Sequence, residues 1–194
     1  IKQSLRQLGQ DGQARALLIE TFFANDEPQL AHALYSLIRD ADLKDVNLLE
    51  GLIERDSRTP DSTFTARILD LIADLNGQNQ ERYSTTIDGY LAQMARSADA
   101  QIHLAAATRR IWYLNQYQPY NLAAQQQYLV DTTPTVRQEV YSLIESRIAS
   151  QTVFGQAQLV AALNAALRAD YPGASSDEKA RVAALLQAIQ AQGT

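Results

Sequence analysis

Two stretches of this chain, 106 residues apart, carry nearly the same helix. The later one reads TPTVRQEVYSLIESR from Thr133 to Arg147, and the earlier one reads PQLAHALYSLIR from Pro28 to Arg39. With Pro28 set on Pro134, Leu30 falls on Val136 and Leu34 on Val140. The run Tyr35-Ser36-Leu37-Ile38 then falls on Tyr141-Ser142-Leu143-Ile144. The apolar residues recur at helical spacing. Thr133 is placed to cap the later helix, and Pro134 stands where a missing N–H costs nothing. The offset corresponds to three steps of about 35 residues, a period typical of helical repeats.

In chain order, the spacing predicts about ten helices and no strand. The first covers Lys2 to Ala24, with Gly9 and Gly12 weakening its start. The second runs from Pro28 to Asp40, and the third from the Asp42/Asp45 turn to Arg55. After a Ser57–Thr59 loop, Thr59-Pro60 repeats the cap-then-proline signal and opens a fourth helix to Leu75, stopped at Asn76-Gly77. A fifth is expected over Gln80 to Met94. Gly89 inside it marks either a weak point or a close approach of another helix. The next begins at Ser97–Asp99 and continues to Asn115. Leu122–Val130, Pro134–Ala149, Val153–Asp170 and a last helix from Ser175 to Gln192 complete the series, with Asn121, Thr133, Thr152 and Ser175 as caps.

These helices pair into hairpins joined by short loops. The second helices of the pairs align on Leu30, Phe64, Ile102, Val136 and Glu178, at steps of 34, 38, 34 and 42 residues. The polar fifth anchor suits a terminal repeat whose outer face meets water.

The pattern of capped turn, proline, β-branched or Leu residue and small-apolar stripe resembles the HEAT family of helical repeats. Thr133, Val136, Arg137, Val140 and Leu143 carry it best. Asp26, Pro28, Leu30, Ala33, Leu34 and Leu37 follow, and Ala98 to Ile111 is a third instance. Tetratricopeptide repeats are the competing resemblance, hinted at by Leu8-Gly9. The HEAT resemblance implies an all-α fold: one α-solenoid domain over residues 1–194, a right-handed superhelix of about five hairpins with a concave binding face. It names no substrate, since one architecture serves many functions.

Composition narrows the classes. The chain holds 194 residues, 46% hydrophobic and 20% charged, which is ordinary for a globular protein. No apolar run approaches the roughly 20 residues that span a bilayer. A net charge of −5 and a pI near 5.0 make nucleic acid an unlikely partner. An arginine face built from Arg67, Arg96, Arg109, Arg110 and Arg137 would be needed to reverse that. The absence of cysteine excludes disulfides, thiolate metal sites and cysteine nucleophiles. The chain opens at Ile1 without a signal-peptide pattern and reads as a trimmed or mature segment. Its Arg- and Gln-rich composition slightly favours the periplasm over the cytoplasm.

The densest functional signal lies between Arg109 and Tyr120, with the chain's only Trp. Arg109, Arg110, Trp112, Tyr113, Tyr117 and Tyr120 are the residue types that most often anchor protein interfaces. The plainer and favoured reading is that Trp112 and Tyr113 fill the seam between repeats while the tyrosines pack a long loop. Other constellations read as structural. Asp40, Asp42 and Asp45 lack the glycine of a calcium loop, and Gly51 stands where a bidentate Glu is required. His32 and His103 have no partner histidine at helical spacing. Ser176 and Lys179 match a serine–lysine spacing without its companion motifs. Glu50, Glu54 and Asp56 read as a solvated acidic face. The expected function is a non-enzymatic scaffold for a protein or peptide, with no cofactor and no metal. The alternative is an accessory or regulatory domain of a larger enzyme or envelope assembly.

Overall fold

The computed structural model describes residues 29, 32, 33, 36, 46–58, 60–76, 83–118, 125–150, 156–168 and 174–192. Within them the chain is helical. Seven α-helices follow in order: α1 (Val46–Arg58), α2 (Ser62–Asn76), α3 (Thr85–Met94), α4 (Ala100–Tyr117), α5 (Pro134–Ala149), α6 (Gln156–Arg168) and α7 (Ser176–Gln192). A 3-10 turn, Gln127–Val130, precedes α5. No strand occurs among the described residues, and no helix among them is long and apolar enough to cross a membrane. Gln29, His32, Ala33 and Ser36 are helical, as the expected second helix requires. The first helix, the Asp42/Asp45 turn and the Asn121 and Thr152 caps lie outside the described residues.

The chain divides into two compact units between Arg109 and Arg110. In the first, α1 packs against α2 and α3. Leu49, Leu52, Phe64, Ile68, Ile72, Ile87 and Leu91 fill its core. In the second, α7 packs against α5 and α6. Val136, Val140, Leu143, Leu159, Leu163, Val182 and Ile189 are buried there. Each unit shields apolar stripes that no single helix could bury.

The four described anchors occupy one structural position. Phe64, Ile102, Val136 and Glu178 are each the third residue of their helix, and all four are buried. Three of these helix starts are closed the same way. Asp61 Oδ1 accepts from the Phe64 N–H at 2.7 Å, Asp99 Oδ1 from Ile102 at 3.2 Å, and Ser175 Oγ from Glu178 at 3.1 Å.

Several expectations need correction. Helix α2 starts at Ser62 behind Asp61, not at Thr59-Pro60, because the carboxylate at 61 supplies the cap. Helix α1 runs on through Ser57 and Arg58, where a loop was expected. Tyr83 and Ser84 are not helical, because Ser84 turns its hydroxyl onto the Ile87 N–H and starts α3 at Thr85. Thr133 precedes α5 as expected, but its side chain makes no cap bond. A side chain placed on Gly89 would meet nothing within 4 Å, so no helix crosses closely there.

Candidate functional site

Helix α4 carries most of the aromatic cluster. Ile111, Tyr113 and Leu114 are buried, while Trp112 between them is 38% exposed. A helix that buries one stripe must turn the intervening residue outward. Trp112 and Val130 are the large apolar side chains left exposed among the described residues. The indole also has a polar contact: its Nε1–H donates to Glu139 Oε2 of α5 at 2.9 Å. The result is an amphipathic ring at the surface.

The remaining cluster residues do other work. Arg109, in the first unit, donates from Nε to the Leu69 carbonyl at 2.6 Å and from Nη2 to Asp70 at 2.7 Å. Arg110 is buried and donates to the Tyr128 hydroxyl at 3.3 Å. Tyr113 is buried against Tyr117, ring centroids 4.8 Å apart. Burial raises the Tyr117 phenol pKa above its usual value. Tyr120 lies outside the described residues. Of the candidate residues described, Trp112 has the exposure an anchor needs.

In three of the four anchored helices, the fourth residue counting from the anchor makes an inter-helix tie. Arg67 donates to His32 Nδ1 at 2.8 Å. Glu139 holds Trp112. Arg181 reaches back to α5, pairing with Glu145 at 2.7 Å and bonding Gln138 and Ser142. In α4 the equivalent residue is Ala105, and Arg109 one turn later reaches back to α2 instead.

Two buried polar clusters were invisible to sequence reasoning. Asp56, expected on a solvated acidic face, is 1% exposed. Its carboxylate accepts from Thr65 Oγ1 at 2.7 Å and from Tyr90 Oη at 2.8 Å. Burial and the neighbouring carboxylate push the Tyr90 phenol far up, so it stays a proton donor. Glu178, expected at a wet end face, is also buried. Arg137 grips it through Nε at 2.5 Å and Nη2 at 2.9 Å, and Tyr141 donates to it at 2.9 Å. The hydrogen bond from Arg137 holds the Glu178 carboxyl below its ordinary pKa, and the same bond raises Arg137. These partners stand 9 to 41 residues away in sequence. No local signal announces them.

The chemistry available elsewhere is modest. No group of three metal-ligating side chains occurs among the described residues. His103 Nδ1 lies 2.6 Å from the Ala95 carbonyl oxygen, and His32 Nε2 lies 3.5 Å from Asp61. Ser176 and Lys179 are exposed at the start of α7. A hollow of about 360 Å³ lies between the first turns of α2 and α4, lined by Ser62, Ala66, Asp70, Asp99 and Ile102. Another of about 340 Å³ lies over Gly89 between α1 and α3.

The described residues define an all-helical fold with one exposed tryptophan. No family model matches the chain, and neither a curated protein nor a solved structure does.

Proposed function

We propose that this chain is a non-enzymatic helical scaffold that binds a protein or peptide through the face carrying Trp112. In this reading the hairpins stack as a HEAT-like solenoid of about five repeats. The observation that carries it is Trp112 itself, exposed on a helix whose neighbouring residues are buried and hydrogen-bonded to Glu139. A large aromatic with few rotatable bonds buries much area at little entropy cost, which is why such residues anchor interfaces. The shared third-residue anchor and the recurring tie support the stacked arrangement. The buried carboxylates Asp56 and Glu178 are engaged by donors of their own units, as structural groups are.

The test is affinity capture from a lysate of the source organism, with the wild-type chain, Trp112→Ala and Val130→Ala. Equal helicity by circular dichroism qualifies all three. A partner held by the wild type and Val130→Ala but lost by Trp112→Ala is the expected result. A set of captured proteins identical across the three would overturn the assignment of this face. Tyr117→Ala is avoided because Tyr117 supports the buried Tyr113 ring.

A further inference from the structure

Trp112 brings a carboxylate with it. Its Nε1–H donates to Glu139 Oε2 at 2.9 Å, which engages one of the two carboxylate oxygens. An ionised carboxylate accepts through both oxygens, and an indole N–H carries no positive charge. The contact therefore leaves the negative charge of Glu139 uncompensated. No cation pairs with Glu139 among the described residues. Four arginines of the second unit are engaged elsewhere. Arg110 donates to Tyr128, Arg137 and Arg181 pair with Glu178 and Glu145, and Arg147 donates to Asn115 and Gln125.

The ring is open as well. Trp112 is 38% exposed, and neither a cation nor another ring stacks on it among the described residues. The face of an indole is the negative pole of its quadrupole and attracts cations better than the other aromatic side chains do. Two attractions for one positive charge thus meet across a single hydrogen bond. A guanidinium is planar, so it can lie flat on the indole while its N–H fork reaches the second oxygen of Glu139. A neutral apolar side chain would cover the ring and leave the carboxylate unpaired. The net charge of −5 favours a basic partner at longer range.

We propose that Trp112 and Glu139 together receive an arginine side chain of the partner protein. This rests on the reading of Trp112 as the interface anchor and adds the chemistry of what it anchors.

Trp112 is the chain's only tryptophan, so its fluorescence reports on this site alone. The experiment titrates the full chain at low salt with a nona-arginine peptide. A second titration uses the same peptide built from citrulline, the neutral isostere of arginine. The expected result is a saturable change in emission with nona-arginine, weakened by added salt and absent with citrulline. Glu139→Gln keeps an acceptor for the indole N–H and removes the charge, and should weaken binding about threefold. Asp177→Asn removes an exposed carboxylate at the start of α7 and should bind as the wild type does. Trp112→Leu lacks the aromatic face, and calorimetry should show its preference for arginine over citrulline reduced about threefold. Equal emission changes with the two peptides would overturn the proposal, as would no change with either. So would a Glu139→Gln affinity equal to that of Asp177→Asn, or a preference that Trp112→Leu leaves intact. Capture from lysate separates this proposal from the reading beneath it. A partner lost by Trp112→Ala but fully retained by Glu139→Gln keeps Trp112 as the anchor and overturns the arginine assignment. A partner retained by Trp112→Ala overturns both.

Discussion

Glu178 shows how one residue can change meaning between sequence and structure. As a polar residue at an apolar repeat position it reads as a surface cap. In the fold it is the acceptor for Arg137 and Tyr141 and lies in the core. Removing one partner of a buried pair leaves the other charge uncompensated. Glu178→Gln is therefore expected to cost about 3–5 kcal/mol, read as a fall in the urea midpoint of the helical signal. The double replacement Arg137→Met with Glu178→Leu removes both charges and should recover most of that loss. The pH dependence follows from the sign of the shift. The folded-state pKa of Glu178 is depressed by the Arg137 hydrogen bond. Its stabilisation is complete above the unfolded carboxyl value and is lost as pH falls through the lower folded value. Glu145 shifts the same way under Arg181, but this pair is exposed and contributes little. Stability should fall on acidification below about pH 4.5. The double variant should show a smaller fall.

At the scale of the helix, the start signals divide into two kinds, and the difference is measurable. Asp99 accepts from the N–H groups of Gln101 and Ile102, at 2.9 and 3.2 Å. Thr133 makes no side-chain cap bond, and its backbone carbonyl takes the Val136 and Arg137 N–H groups. Asp99→Ala should cost about 1 kcal/mol, whereas Thr133→Ala should cost clearly less. A thermal melt of each variant makes the comparison, and equal losses would contradict it. Helix existence was legible from sequence because the apolar spacing of Phe64, Ile68, Leu71 and Ile72 is set locally. Helix starts were legible where a single side chain decides them, as at Ser175. They were misread where two candidates compete, as with Thr59 and Asp61. The candidate surface was legible only as a cluster. Which member faces water depends on the stripe buried by neighbouring helices, and this separates Trp112 from Tyr113. The buried ties of Asp56, Arg137 and Arg147 are long-range contacts, and nothing in the flanking residues encodes them.

For the whole molecule, the central claim is that the anchored helices are equivalent members of one repeating stack. The shared anchor position, and the tie that follows it in three of the four helices, argue for this, and the scaffold function depends on it. A stack is longer than a compact domain of the same mass. Five hairpins spaced at about 10 Å, with helices about 24 Å long in two layers, give a longest dimension of about 60 Å. A compact domain of 194 residues, with a radius of gyration of about 16 Å, would have about 42 Å. The pair-distance distribution from small-angle X-ray scattering of the monomeric chain measures this quantity directly. The proposed stack predicts a longest dimension near the larger value. One near the smaller value would contradict the repeat arrangement and, with it, the concave face on which the proposed scaffold function rests.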